Sequence, residues 1–345
     1  LVLREQAVRA GKVLSFKLQT TWQNKKDIVA TQKLAVAGRI CTLKPIAGAD
    51  RIQLAGVDCG DAGRWSGVVG IEMEQGAAVT VFLQDALLPP DPRWAFMERH
   101  HWRVRMARFK GAPSECVIIP GDDLPPGTDL MAQLGVTKYE KPIPMSMAGD
   151  MLGGFPGVIP KTDEINFQAA LELVERMGQD PWYATEKADG SSGTAWNDEA
   201  GLHVCSRNWE LREFGAKGAG NVYWQAARQY GLERLPQGLA LQFEVIGPGI
   251  QGNPMGLKSV EARAFTLRDT LEHRNLPRPE LERVCADLGL PPAKLIATGQ
   301  HALSADELRE LAQIRYANGK HGEGIVIRAL DSSWSFKVIN LLYKD

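Results

Sequence analysis

The 345-residue sequence predicts an α+β fold in two parts, a small β-barrel followed by a larger domain built on antiparallel sheets. Three observations carry this. Short strand-like runs punctuated by Gly, Pro and Asp occupy residues 33–121, a Pro/Gly/Met-rich stretch covers 141–164, and beyond it helical and strand-like segments alternate irregularly, unlike the regular βαβ repeat of a parallel sheet. A prior of about 150 residues per domain also favours two. The expected layout is a loosely held tail over 1–32, the barrel over 33–140, a linker over 141–160 and the second domain over 161–345.

Bulk composition narrows the function classes. Charged residues are 23% and the apolar set 44%, which is ordinary for a globular chain. Lys plus Arg number 40 against 41 Asp plus Glu, so overall charge gives no argument for nucleic acid, and any such face must be a local basic stripe. The five cysteines, at 41, 59, 116, 205 and 285, are odd in number and form no CxxC pair. They fit a reducing cytoplasm better than a disulfide framework or a zinc site. No apolar run approaches the roughly 18 residues that would span a bilayer. Arg4, Glu5, Arg9 and Lys12 interrupt what would have to be the apolar core of an export signal. The expectation is a cytoplasmic protein with no membrane partner.

The barrel elements come first in the chain: "LAVAGRICTL", "DRIQLAGVDCG", "RWSGVVGI", "AAVTVFLQ", "HWRVRMARF" and "ECVIIP". Short strands at this spacing suggest a small β-barrel or sandwich, and an oligonucleotide-binding barrel is the commonest nucleic-acid version. In "RHHWRVRMARFKG", residues 99–111, a strand would place Arg103 and Arg105 on one face and Trp102, Val104 and Met106 on the other. Basic side chains near a tryptophan can grip a phosphate backbone; the plainer alternative is a solvated outer face. His100 and His101 have no metal-ligand spacing.

The linker reads "KPIPMSMAGDMLGGFPGVIPKTDE". After it, helices are expected over 165–177, 219–230, 279–289 and 305–317. The last opens with a capping box, Ser304 with Glu307 three residues on. Strands are expected over 182–188, 192–197, 201–207, 239–246, 260–268, 323–329 and 334–339. There is no internal repeat and no GxGxxG or GxxxxGKS phosphate loop.

One stretch of the second domain asks for chemistry. "YATEKADGSSGTAW", residues 183–196, ends a strand-like run on Lys187 and continues with Asp189, Gly190 and two serines. Asp-Gly there is a strong hairpin signal. The sharper reading is a lysine nucleophile presented at a strand end to a nucleotide phosphate. A Lys-x-Asp-Gly tetrapeptide alone is weak evidence, because it arises by chance in about one chain in ten of this size.

The order of the downstream segments is more specific: "CSRNWEL" with Arg207, "LALQFEVIGPGIQGNP" with Glu244, "ARAFTLRD" with Phe265, "GEGIVIR" with Glu323 and "SFKVIN" with Lys337. This set resembles motifs I, Ia, III, IIIa, IV and V of the covalent nucleotidyltransferase superfamily of polynucleotide ligases and capping enzymes. It is closest to RNA ligases, in particular the Deinococcus-type clade of nick-sealing ligases, which "FPGVIPKTDE" and "GPGIQGN" also resemble. The resemblance covers roughly 155–343 by its motifs and 33–140 by layout.

It implies an ATP-grasp-like ligase/adenylyltransferase domain, ATP with Mg²⁺ or Mn²⁺ as cofactors, and a monomer acting on nicked duplex nucleic acid with an RNA 3′-OH strand. Carried over residue by residue, Lys187 is the nucleophile, Glu244 and Glu323 are metal ligands, and Arg207 and Lys337 are phosphate contacts. Asp189 belongs to the cofactor pocket, Phe265 stacks on adenine and Glu186 reads its amino group. The physical chemistry agrees with these types. Attack on phosphorus needs an unprotonated amine, oxygen ligands suit Mg²⁺, and cations offset phosphate charge.

Each residue keeps a plainer alternative: Glu244 in a buried ion pair, Glu323 as a hairpin charge and Phe265 in the core; Lys161, Thr162, Asp163 and Glu164 read either as a cap of the helix that follows or as an RNA or nucleotide contact. Motif V departs from the pattern, since Ser335 and Ile339 flank Lys337 where a second lysine is usual; Lys344 is one candidate substitute. The sequence ends just after motif V, so the N-terminal barrel is expected to hold the duplex. A DNA ligase, a guanylyltransferase and a non-catalytic RNA-binding module are the competing readings.

Overall fold

The protein is seen in a computed structural model that describes residues 33–139, 150–215, 218 and 220–343. In the strands Ile52–Asp58 and Arg64–Gly70 every second side chain is buried, the period of a sheet with one face on a core. They join Ala35–Pro45, Ala78–Phe82 and Val117–Pro120 in a five-stranded antiparallel sheet. Its spatial order runs Arg64–Gly70, Ile52–Asp58, Ala35–Pro45, Ala78–Phe82, Val117–Pro120. A bulge between Ile40 and Thr42 bends the long first strand. The sheet curls until its two edges meet, where the Glu115 N–H donates to the Ser66 carbonyl at 2.8 Å. Gly67 allows that closure, because a Cβ there would lie 2.7 Å from Ile118 Cδ1.

The segment 99–111 does not form the expected strand. Asp91 accepts the Arg93 N–H and Pro92 opens a 3₁₀ helix, Pro92–His100, which ends on left-handed His101 and Trp102. Trp94 and Met97, three residues apart, are its buried face, a helical spacing that the basic alternation concealed. Of the rest, Arg103 bridges Leu87 and only Ala107–Phe109 is strand.

The second half holds two antiparallel sheets. One has seven strands in the order Met151–Gly154, Trp209–Leu211, Gly201–Ser206, Ser191–Asp198, Leu239–Ile246, Glu261–Asp269, Arg274–Asn275. Helices Val222–Gln229 and Arg278–Leu288 pack on it around Leu241, Phe243 and Leu267. The other has four, Leu295–Gly299, Trp182–Glu186, Gly324–Ala329 and Ser335–Ile339, covered by helix Ala305–Leu311 and by Phe167 and Trp334. Each fully buried Leu or Phe contributes about 1.5–3 kcal/mol. The strand Trp182–Glu186 in the four-stranded sheet leads through Lys187–Gly190 into Ser191–Asp198 in the seven-stranded one, so Lys187 sits where the two sheets join.

All seven strands expected after residue 180 are present, with ends shifted by a residue or two. Two helices differ. The helix expected over 165–177 is broken into Phe167–Ala169 and Leu171–Arg176, since the Ile165 carbonyl accepts the Lys337 N–H at 2.8 Å and that backbone is already spent on the sheet. The helix expected over 305–317 has its capping box but stops at Leu311; the chain then folds back, with Tyr316 N–H on the Lys320 carbonyl. Part of the expected linker, Met151–Gly154, is an edge strand. The expected tail over 1–32 and residues 140–149 lie outside the described residues. Among the described residues no helix is long and apolar enough to cross a membrane.

The two halves are joined through a buried acid. Glu115, 6% exposed, accepts from Ser66 Oγ at 2.6 Å and from Gln168 Nε2 at 2.7 Å. Beside it Gly63, at φ +89°, approaches so closely that a Cβ would fall 1.5 Å from the Gln168 carbonyl oxygen. Gly63→Ala is therefore expected to lower stability by about 2–3 kcal/mol, through strain and forced separation of backbones. Chemical denaturation checks this; an unchanged midpoint would mean that the contact is dispensable.

Candidate active site

A cavity of 970 Å³ opens at the junction of the sheets, and all the residues assigned catalytic, cofactor or nucleic-acid roles from the sequence lie on its wall. Its centre is Lys187. The Lys187 N–H continues the strand pairing to the Gly324 carbonyl at 2.9 Å, and its Nζ stands 2.7 Å from Glu323 Oε1. Gly190 lets the turn after Lys187 lie against the strand Leu239–Ile246, because a Cβ would be 2.3 Å from the Val245 carbonyl oxygen and 2.9 Å from Glu244 Cγ. Gly324, at φ +138°, does the same for the loop bearing Glu323, with the Val338 carbonyl oxygen 2.1 Å from where a Cβ would sit. The two glycines bring the two acids and the lysine together.

The electrostatics arise from this crowding. Burial and the like charges of Glu323 and Asp189 push the Glu244 carboxyl up to about 8, against the opposing pull of Lys187. Burial alone would lower the Lys187 ammonium, yet Glu323, Glu244 and Asp189 together raise it above its usual value. Glu244 and Glu323 both face Lys187. The strand residue Lys337 makes no ion pair among the described residues; burial and the Lys187 charge lower its pKa, with Asp85, Asp163 and Glu323 opposing.

Arg207 is paired with Asp163 at 2.6 Å, and Lys138 from the N-terminal half meets the same carboxylate. Burial raises Asp163, but Arg207, Lys138 and Lys337 override it and hold the carboxyl low. The stretch 161–164 is thus no helix cap: Asp163 anchors cations, Glu164 pairs with Arg328 at 2.9 Å, and Thr162 Oγ1 meets Ser192 Oγ at 2.7 Å. Ser335 hydrogen-bonds Glu164 and Ile339 lines the cavity. Lys344, considered for the missing second motif V lysine, lies outside the described residues.

Phe265 lies on a bulge, between Ala264 opposite Phe243 and Thr266 opposite Gln242, so it has no partner across the sheet. A bulge re-aims the side chain, here into the cavity, with the Arg328 guanidinium carbon 5.7 Å from the ring centre. Glu186 has its pKa raised by burial, tempered by Lys294 and Arg263. Arg103 and Arg105 also line the cavity. Arg103 is paired with Asp85 at 2.6 Å and stacked 3.9 Å from the Tyr139 centroid, whereas Arg105 is exposed at the rim. They face the same space as Lys187, not a separate outer strand face.

Sequence reasoning missed Tyr316, Asn340, Tyr343 and Arg328. Tyr316 accepts the Glu323 N–H at 3.1 Å, and Asn340 donates to the Gly322 carbonyl at 2.9 Å. Arg328 and Asn340 end the quoted segments "GEGIVIR" and "SFKVIN" but were given no role there, and Tyr316 and Tyr343 fall in none of the quoted segments.

A buried lysine at a strand end, flanked by acids and ringed by arginines and lysines, suits chemistry on a phosphorylated nucleotide, and comparison with known proteins points the same way. The family model described as RNA ligase matches residues 180–341. No curated protein matches the chain. Among solved structures it is similar to Naegleria gruberi RNA ligase with PPi, at 31% identity, covering 89% of this chain and 96% of that one, with a TM-score of 0.75. It is similar also to alanine variants of that ligase with AMP and Mn (30%, 89% and 97%, TM-score 0.76) and with ATP and Mn (30%, 89% and 97%, TM-score 0.74). With the motif-bearing half matched and nearly the whole of a ligase covered at this identity, the chain belongs to the RNA ligase family.

Proposed function

We propose that the protein is an ATP-dependent RNA ligase that seals 3′-hydroxyl/5′-phosphate nicks through a covalent lysyl-AMP, as an RNA-repair enzyme. One observation carries the reading: Lys187 Nζ stands 2.7 Å from Glu323 inside a cavity large enough for a nucleotide and lined by Arg207 and Lys337. The related ligase structures with ATP, AMP and Mn support the nucleotide and a divalent cation.

The residues present fit such a cation. No ready three-ligand cluster occurs among the described residues, but Glu244 and Glu323 offer hard oxygens, and Mg²⁺ characteristically keeps several waters. Burial, with the like charges of Glu323 and Asp189, pushes the Glu244 carboxyl up to about 8, and a divalent cation beside it would favour the charged, ligating form. When bound, the cation offsets phosphate charge and weakens the acids' hold on the Lys187 proton.

The chain's own residues do the rest. Lys187, with its ammonium proton lost, attacks the α-phosphorus of ATP; an N–P bond forms as the P–O bond to pyrophosphate breaks. AMP then passes to the 5′-phosphate, and the 3′-hydroxyl displaces it. Each step is an in-line displacement at phosphorus, so one cavity serves all three. Lys337 and Arg207 meet phosphate oxygens, Phe265 stacks on adenine and Glu186 reads its amino group. The curled N-terminal sheet is taken as an oligonucleotide-binding barrel that guides the duplex, with Arg103 and Arg105 toward phosphate. The five cysteines, all free, fit a reducing cytoplasm.

The test is sealing of nicked duplexes that differ only in the 3′-OH strand. RNA there with ATP is expected to seal at least about a hundredfold faster than all-DNA, the order of discrimination available from 2′-hydroxyl contacts. Equal sealing of DNA would replace the reading with a DNA ligase, and label transfer from GTP alone with a guanylyltransferase.

A further inference from the structure

Asp189 lies two residues after Lys187 and directly before Gly190, on the wall of the cavity, where its charge acts on both Lys187 and Glu244. The structure supplies an external tether. The Tyr343 hydroxyl donates to Asp189 Oδ2 from 154 residues away.

The turn that carries Tyr343 is held from several sides. Asn340, fully buried, donates its backbone N–H to the Glu323 carbonyl at 2.9 Å and its amide to the Gly322 carbonyl at 2.9 Å. Its side-chain oxygen accepts the Leu342 N–H at 3.0 Å, and the Tyr343 N–H returns to its carbonyl at 3.0 Å. From the N-terminal half, Arg108 donates to the Leu341 carbonyl. Tyr316 joins the loops of Glu323 and Lys187, accepting from the Glu323 N–H and reaching the Lys187 carbonyl at 3.5 Å. The turn therefore touches the loop of Glu323, the motif of Lys187 and the N-terminal half at once.

We propose that Tyr343 is a positioning residue: carried on the turn Asn340–Tyr343, it holds Asp189 in the orientation that adenylylation of Lys187 requires. The inference rests on the ligase reading of the cavity. Tyr343 lines the cavity and acts through Asp189. Burial and the neighbouring carboxylate raise the phenol's pKa well above the usual value, so it stays a neutral donor throughout the working pH range.

Single-turnover formation of lysyl-AMP from labelled ATP and Mg²⁺ tests it in the full chain, comparing wild type, Tyr343→Phe, Asp189→Asn and the double variant. Tyr343→Phe is expected to slow the rate constant at saturating ATP about tenfold or more, as misplacement near a reacting centre does, with little change in KM. In the Asp189→Asn background the same change should add less than about twofold, because the two act as one unit. Tyr343→His, which keeps a ring donor, should recover part of the loss even if the Phe variant proves unstable. An unchanged rate in Tyr343→Phe, equal losses in both backgrounds, or no recovery with His would overturn the tether. No labelling of the wild type would overturn the ligase reading itself.

Discussion

Lys187→Ala should form no lysyl-AMP, yet still join an RNA whose 5′-end is already adenylylated. In the proposed cycle the amine takes part only in the first two transfers, bonded to phosphorus in the first and released in the second. In the third, the 3′-hydroxyl attacks an activated phosphate and the leaving group is AMP, so a lysine side chain is not chemically required. The substitution removes a half-buried cation that neutralises Glu323 and Glu244. A divalent cation can take over that neutralisation, which is why the pocket should survive. The expected result is loss of labelling beyond about 10⁴-fold, the scale for removing a nucleophile, with sealing of the pre-adenylylated strand kept within about tenfold. Equal loss of both activities would mean that Lys187 acts chiefly as a structural charge.

Glu323→Ala should behave differently, losing both activities. Glu323 is the closest partner of Lys187, and its loop is bound to Lys187 through the Gly324 carbonyl and to Tyr316 through its own N–H. In the proposed cycle it serves every displacement at phosphorus, because each builds charge on the same oxygens. Removing one such electrostatic contributor costs about 10²–10³ in rate. Glu323→Gln keeps the shape without the charge and separates packing from electrostatics: it should stay near the Ala level. Recovery to wild-type rate in Gln would assign Glu323 a hydrogen-bonding role only.

The candidate site was legible because its residues lie on or beside strands that read as short apolar runs, Trp182–Glu186, Leu239–Ile246 and Gly324–Ala329 among them. Glu244 and Phe265 fall on neighbouring strands of the seven-stranded sheet, and Glu323 and Lys337 lie beside or on neighbouring strands of the four-stranded one. Gly190 and Gly324 were legible as turn signals, although their reason, backbone approach to Val245 and Val338, is visible only in space. The 3₁₀ helix Pro92–His100 was not legible, because alternating arginines and apolar residues from 102 onward satisfied a strand pattern while the buried Trp94 and Met97 lay just upstream. Nor were the anchors of the site. Asp163 meets Lys138 and Arg207, and Glu164 meets Arg328 164 residues away. Such pairs leave no local periodicity. Arg103 shows the limit from the other side: its charge was read correctly, but its partner Asp85 and its place on the cavity wall depend on a turn at His101 and Trp102 with left-handed backbone.

The most direct measurement is site mapping of the adduct. Protein freed of prebound nucleotide is incubated with ATP and Mg²⁺, digested under conditions that preserve phosphoramidates, and sequenced by mass spectrometry. The account predicts one adenylyl group, on Lys187 in the peptide containing "YATEKADGSSGTAW", released by pyrophosphate and absent with GTP. An adduct on another lysine, or none at all, would contradict it.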